Sequence, residues 1–482
     1  MLKSNIAWMK KNVPSDLKVW KGMIQDIDWS QVAAKTKLSL QRDKDRITAE
    51  FKEFAAMDTS AKIDWLMNGD RHLGYLYKKD AIAFARREWK GLKSVGYDFV
   101  GWLKIWGGML NMVMKDPMSI MLAVFEYHWF ASYLATPAVV DRSVFGRRGK
   151  LLQADFDMWV AITHWAEDLI ANLIMADAKI GGNQKINKRI IMFDEMTMAQ
   201  MMAGFPNLLG IPYQMIPVFM VSEMDQLTLI PYIDAIESYG LPSDTCPLPT
   251  AECGCAVKDE YPMCGQGFIA SSMPCDGSVM ATSFQDRRFS KFMPSYPLCM
   301  PVRYDDEDTT EMAAADMKDC IHWVEGLTGE TWNWDTYFAT MEKMNECTRL
   351  EMEKWEINKT HYPQLVGSSF ELFRKWNYEM DGGLFPEGLK TQRKICKTMM
   401  ETYEKKLPAY VGGYEKYRAL IWSCPAHFYA NFSNWLANCW GIYALTEMGA
   451  LNMTKMLNTT DKDEAINDLC RLYERMVMRR HT

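Results

Sequence analysis

Through the first 185 residues, apolar side chains recur at three- and four-residue intervals, as in Ile63, Leu66 and Met67 and again in Trp159, Ile162, Trp165 and Leu169. That period marks helices with one apolar face. Two-residue alternation is almost absent there, so residues 1–185 are expected to form a helical extension or docking layer. Its many Met side chains suit an adaptable surface. Near residue 186 the texture shortens into apolar runs bounded by Pro or Gly, at Arg189 to Phe193, Gly267 to Ser271 and Tyr296 to Val302, with helical stretches between them. Strands alternating with helices predict an α/β layer over residues 186–308. Residues 309–412 return to a helical pattern, with Met317, Ile321 and Val324 on one stripe. After Gly412-Gly413, the run Arg418-Ala-Leu-Ile-Trp-Ser reads as a buried strand. A helix follows from about Phe428 to Cys439, then a second strand at Gly441-Ile-Tyr-Ala-Leu and a helix from about Asp463 to Met478. Residues 413–482 thus hold the start of a parallel βαβ unit, a second α/β domain left incomplete.

Length and charge narrow the class. A chain of 482 residues exceeds what one hydrophobic core organises, so about two to four domains are expected. With 55 Lys and Arg against 61 Asp and Glu, the chain lacks the basic face that nucleic acids require. The apolar stretch Phe99 to Val140 is interrupted by Lys104, Lys115, Asp116, Pro117, Glu126 and His128, too often for a transmembrane segment. It reads as buried or interfacial helix. The N-terminal MLKSNIAWMKKNVPSD has neither the apolar core nor the cleavage site of a signal peptide, which predicts a cytoplasmic protein. Its twelve cysteines are then expected to be reduced thiols or metal ligands.

All twelve lie between Cys246 and Cys470, and five of them, Cys246, Cys253, Cys255, Cys264 and Cys275, fall within thirty residues. Soft thiolates at this density select zinc, copper(I) or iron-sulfur clusters. Zinc sites usually pair their cysteines as C-x-x-C, whereas Cys253 and Cys255 are two apart and no second close pair follows. Iron-sulfur ligation accepts wider spacing. Cys299, Cys320, Cys347, Cys396, Cys424, Cys439 and Cys470 sit inside strand-like or helix-like runs and read as core. Gly265-Gln-Gly-Phe-Ile-Ala270 fits a dinucleotide fingerprint in letters but precedes an apolar run, where that motif links a strand to a helix.

Several segments together resemble the 2-hydroxyacyl-CoA dehydratase and benzoyl-CoA reductase family. Pro231-Tyr-Ile-Asp-Ala-Ile-Glu-Ser-Tyr-Gly-Leu-Pro-Ser-Asp-Thr-Cys246 is similar to the approach to that family's first cluster cysteine, and Phe268-Ile-Ala-Ser-Ser-Met-Pro-Cys275-Asp to the strand and loop of its second. Leu298-Cys-Met-Pro-Val-Arg-Tyr-Asp-Asp-Glu-Asp resembles a strand ending in a turn before a long helix, and Gly326-Leu-Thr-Gly-Glu-Thr-Trp-Asn-Trp-Asp a helix-to-helix linker. Arg418-Ala-Leu-Ile-Trp-Ser matches in kind the strand that opens the last domain. The segments occur in the family's order across residues 186–482.

The resemblance implies Rossmann- or flavodoxin-like α/β domains with a helical middle, a related second subunit, and a 4Fe-4S cluster held by three cysteines, with Cys246 and Cys275 as ligands and Cys264 as a weaker candidate. It further implies an ATP-dependent iron-sulfur activator that delivers one electron and an acyl-CoA substrate that passes through a ketyl radical, by dehydration or reduction. A ketyl acidifies a β-carbon that ordinary acid-base catalysis cannot deprotonate, and an open iron site can act as a Lewis acid. Ser271 and Ser272, at a strand end where α/β folds bind ligands, are candidate substrate or cluster contacts. Two features depart from the family. The chain reaches Arg479-Arg-His-Thr before the strand that carries the third cysteine, and the early helix that often bears a carboxylate reads MTMAQMMAGF, with the amide Gln200 near that place. Three readings stay open: an iron-sulfur enzyme subunit, a non-catalytic scaffold subunit, and a zinc-stabilised interaction module.

Overall fold

The computed structural model describes residues 29–68, 91–133, 149–194, 199–213, 215–219, 221, 226–272, 276–300, 306–364, 386–406, 415–421, 436–447 and 454–474. The chain divides into two compact units, residues 1–71 with 89–97 and residues 72–88 with 98–482. The first contains helices α1 (Trp29–Ala56) and α2 (Thr59–Asn68). Asp58 caps α2 by accepting the Ala61 N–H at 2.8 Å, satisfying a donor that the helix start leaves unpaired. Ile63 and Leu66, expected in a core, are exposed.

In the larger unit, helix α3 (Gly91–Lys115) continues from residue 98 and is followed by α4 (Pro117–Glu126). The boundary is written in the sequence. Asp116 accepts both the N–H and the hydroxyl of Ser119, at 3.1 and 2.7 Å, and Pro117 occupies the first turn, where its missing N–H costs nothing. Helix α5 (Gly149–Ala176) buries Trp159, Ile162, Trp165 and Leu169, the stripe read from their spacing.

Four parallel strands follow: β1 (Ile190–Phe193), β2 (Leu209–Pro212), β3 (Gly267–Ser271) and β4 (Ser295–Leu298), in the order β2-β1-β3-β4. All four residues of β1 are buried, as expected of a central parallel strand covered on both faces. The fold is mixed α/β and mostly helical, in agreement with the sequence pattern. Strand β2 is absent from that pattern because Leu-Gly-Ile-Pro reads as a turn. It exists by pairing with β1, and its proline is tolerated because β2 is an edge.

Between β2 and β3 lie α6 (Ile230–Ser238) and α7 (Pro247–Val257), packed closely enough that a Cβ on Gly254 would stand 1.9 Å from the Tyr232 carbonyl oxygen. Helix α8 (Asp276–Phe289) joins β3 to β4. The helical middle comprises α9 (Glu307–Thr328), α10 (Trp334–Asn358) and α11 (Pro386–Glu404). Helix α9 approaches β3 where Gly267 leaves room, since a Cβ there would lie 2.6 Å from Trp323 and from Leu327. Buried Lys354 of α10 pairs with Glu351 and donates to Gln392 of α11 at 3.2 Å.

A separate two-stranded parallel sheet pairs β5 (Tyr417–Ile421) with β6 (Ile442–Glu447), and α12 (Lys462–Glu474) closes the described chain. Two buried asparagines of α10 hold this part. Asn345 bonds both backbone groups of Leu457 at 2.8 Å, and Asn358 donates to the Leu445 carbonyl at 3.3 Å. Of the helix expected at Phe428 to Cys439, residues 428–435 lie outside the described residues, and Leu436–Trp440 forms a π-helical turn. Among the described residues no helix is long and apolar enough to cross a membrane.

Candidate functional site

In a parallel sheet every strand ends at the same edge, and ligands bind there, above all where the strand order reverses. Here the reversal falls between β1 and β3. Asp194 follows β1 directly, fully buried, and its carboxylate accepts the Ser271 N–H at 2.5 Å, tying the ends of the two strands together. Ser272 reaches the other way. Its hydroxyl donates to the Met300 carbonyl at 2.6 Å and accepts the Met300 N–H at 2.8 Å, which fixes the exit of β3 to the residues after β4. Both serines thus anchor the chain shortly before Cys275, which itself lies outside the described residues.

The other expected ligand reaches the same edge by a different route. Helix α7 descends to the turn at 258–266 from which β3 rises, and eleven helical residues span about 16 Å, the length of a five-residue strand. Its N-cap residue Cys246 therefore lies toward the edge where the strands end, and it is exposed. Cys299 also stands there, exposed, one residue beyond β4, with its backbone N–H donating to Asp316 at 2.6 Å. This corrects the reading of Cys299 as a core thiol. It stands between buried Leu298 and buried Met300, on the outward side of the alternating extended chain. Cys320, Cys347, Cys396 and Cys470 are buried as expected, while Cys424 and the side chain of Cys439 lie outside the described residues.

Cys264 is elsewhere. It precedes β3 at the opposite, amino edge, buried beside a network centred on Asp177. That carboxylate accepts from the Tyr127 hydroxyl and from the Met263 and Lys179 N–H groups, the last two at 2.8 and 3.0 Å. Burial pushes the Cys264 thiol well up, with Asp177 adding to it. Burial likewise raises Cys255 strongly and Cys253 to about 12, the neighbouring Glu252 contributing in both. These three thiols stay protonated and enclosed, the state of structural cysteines. The closely spaced pair Cys253 and Cys255 is therefore part of the packing between α6, α7 and α8.

Gln200 is fully buried, and its side-chain carbonyl accepts the Tyr473 hydroxyl at 2.9 Å, linking the helical turn at 199–202 to α12. Where the family resemblance leads one to look for a carboxylate, the protein has an amide engaged in a structural contact. Sequence reasoning passed over Asp194 and Cys299. The signal for Asp194 was present, since it directly follows the apolar run that ends at Phe193, whereas Cys299 lies inside the run Tyr296 to Val302 and only the end of β4 at Leu298 sets it apart.

Soft sulfur donors at the strand ends, one heading a helix whose N-terminus favours negative charge, fit an anionic iron-sulfur cluster. Among the described residues, no three His, Cys, Asp or Glu side chains converge as a metal site, and Cys275 is not among those residues. The family model for 2-hydroxyglutaryl-CoA dehydratase, D-component, matches residues 226–481, more than half of the chain. No curated protein matches it.

Proposed function

The chain belongs to the 2-hydroxyglutaryl-CoA dehydratase D-component family, and from that premise we propose that it is the subunit through which such an enzyme holds a 4Fe-4S cluster in the cytoplasm. The observation that carries this reading is the separation of the thiols. Buried Cys253, Cys255 and Cys264 are held as protonated core groups, whereas Cys246 and Cys299 are exposed and Cys275 directly precedes α8. Cys246 and Cys275 hold the cluster, Cys299 is the third thiol this chain offers, and Cys264 is left out. When bound, the cluster supplies one-electron and Lewis-acid chemistry to an acyl-CoA thioester, with the electron arriving from an ATP-dependent activator and a related subunit completing the enzyme. Asp194 and Ser272 act on the protein side, fixing the β3 exit so that the chain leaves residue 272 for Cys275 from a rigid point.

One observation favours a second reading, a non-catalytic scaffold subunit: the buried amide of Gln200 cannot serve as a base and is already bonded to Tyr473. Protein purified without oxygen decides between them. A cluster subunit is brown, with broad absorbance near ~400 nm and iron and sulfide in equal amounts. Cys246→Ala or Cys275→Ala abolishes the colour, whereas Cys396→Ala, whose thiol donates to Glu353 at 3.1 Å in the α10–α11 contact, retains it. Colour that survives Cys299→Ala removes Cys299 as the third ligand. A colourless, metal-free protein sinks the cluster reading, and a colourless protein with stoichiometric zinc replaces it with the zinc module.

A further inference from the structure

Helix α3 is apolar on two sides. Ile105, Met109 and Met112 are buried on one side, and Gly108 faces α5 so closely that a Cβ there would stand 2.1 Å from a Glu167 carboxylate oxygen. The other side is open: Phe99, Leu103, Trp106, Leu110 and Met114 are 62, 56, 51, 62 and 65% exposed. A helix that is apolar all round belongs in an interior, and a contiguous exposed stripe of this size marks an interaction surface.

The spacing of that stripe says what covers it. Phe99, Leu103, Trp106, Gly107, Leu110 and Met114 follow one another at intervals of four, three, one, three and four residues, the same from either end. A two-fold axis demands such self-complementarity, because each residue then meets its mirror position in a second copy. An antiparallel copy of α3 sets Phe99 against the partner's Met114, Leu103 against the partner's Leu110, and Trp106 against the partner's Gly107. Gly107 offers the notch an indole needs, since a Cβ there would meet nothing within 4 Å. At on the order of 100 Å² for each half-exposed side chain, the stripe with Val100 contributes roughly 600 Å² per copy. That makes about 1,200 Å² for the pair, the lower bound of a specific interface. A lipid surface fits less well. Membrane-lying helices carry several basic residues beside the apolar face, whereas among the described side chains only Lys104 and Lys115 flank the stripe, and Lys115 is paired with Asp168 at 2.5 Å.

We propose that two copies of this chain associate through α3, antiparallel across a two-fold axis between Trp106 and Gly107. Light scattering on the full chain at micromolar concentration should return twice the 55.7 kDa chain mass. Leu103→Glu combined with Leu110→Glu places four unpaired charges in the symmetric interface and should weaken association about a hundredfold or more. Both sites are exposed, so the circular dichroism spectrum and unfolding midpoint of that variant should stay those of the parent. Gly107→Cys, next to the axis, should give on mild oxidation a reducible dimer well in excess of any formed by the parent, whose Cys246 and Cys299 are themselves exposed. A parent chain that is monomeric throughout, a dimer indifferent to the two glutamates, or a monomer that floats with anionic vesicles overturns the proposal.

Discussion

The two edges of the four-stranded sheet are built from the same short, cysteine-rich stretch and have opposite characters. At the amino edge, the Asp177 carboxylate takes three donors, Arg288 bonds Asp259 at 2.6 Å and the Tyr261 carbonyl at 2.8 Å, and Lys179 pairs with Asp259 at 3.0 Å. Every thiol there is enclosed. At the carboxyl edge, backbone-directed bonds from Asp194 and Ser272 pin the strand ends, and the thiols face outward. The difference teaches that cysteine density is not one signal. A thiol at the amino edge fills space, and a thiol at the carboxyl edge is available to a ligand.

The contrast breaks most visibly at Asp177. Replacing it with Ala strands the Tyr127 hydroxyl and two backbone N–H groups in a buried place, which should cost about 3–5 kcal/mol of unfolding free energy in denaturant titration. Glu167 is the counter-case, a buried carboxyl on α5 with no hydrogen-bond partner for either oxygen among the described residues. Burial, helped by neighbouring Asp168, raises it from 4.5 to about 8. The folded state therefore keeps a proton that the unfolded chain has lost. The stability is complete below pH 4.5, falls as the pH rises toward about 8, and levels off above it. Glu167→Gln should flatten that slope and leave the variant up to about 5 kcal/mol more stable than the parent at pH 9. A parent whose stability is flat between pH 5 and 8 would show that water reaches this carboxyl.

Smaller changes sharpen the carboxyl edge. Ser272→Ala removes the acceptor of the Met300 N–H and should cost about 1–2 kcal/mol. It should also lower iron content without abolishing it, because the chain before Cys275 loses an anchor while the cysteine stays. Smallest in stability is Cys246→Ala, within about 0.5 kcal/mol as for other exposed positions, yet it should remove the iron. Cys253→Ala reverses that pattern, costing about 1 kcal/mol for the lost packing while leaving the iron in place.

Much of the fold was legible because its signals are local. Buried parallel strands are continuous apolar runs, so Ile190–Phe193, Gly267–Ser271 and Ile442–Glu447 were read nearly to the residue. Strand β2 was not, since Leu209–Pro212 becomes a strand only by lying beside β1. Helical spacing also failed to tell covered stripes from open ones. Trp159 and Ile162 are interior, whereas Ile63 and the α3 stripe are exposed, because a period shows that a face exists and not what lies against it.

The candidate site divides in the same way. Sequence alone determined the kinds of donor available and the family, whereas the fold shows that Cys246 and Cys275 directly precede helices. Sequence also determined that the place where the family often carries a carboxylate holds an amide, though only the fold shows that amide bound to Tyr473. Which thiols can meet a ligand was left to tertiary structure. Cys246 and Cys264 are eighteen residues apart in the chain, yet one is exposed toward the carboxyl edge and the other buried at the amino edge. Helix α7 and the turn after it carry the chain across the full height of the sheet between them. Local propensity sets the length of that helix, and only its packing against α6 and α8 decides which end of it meets solvent.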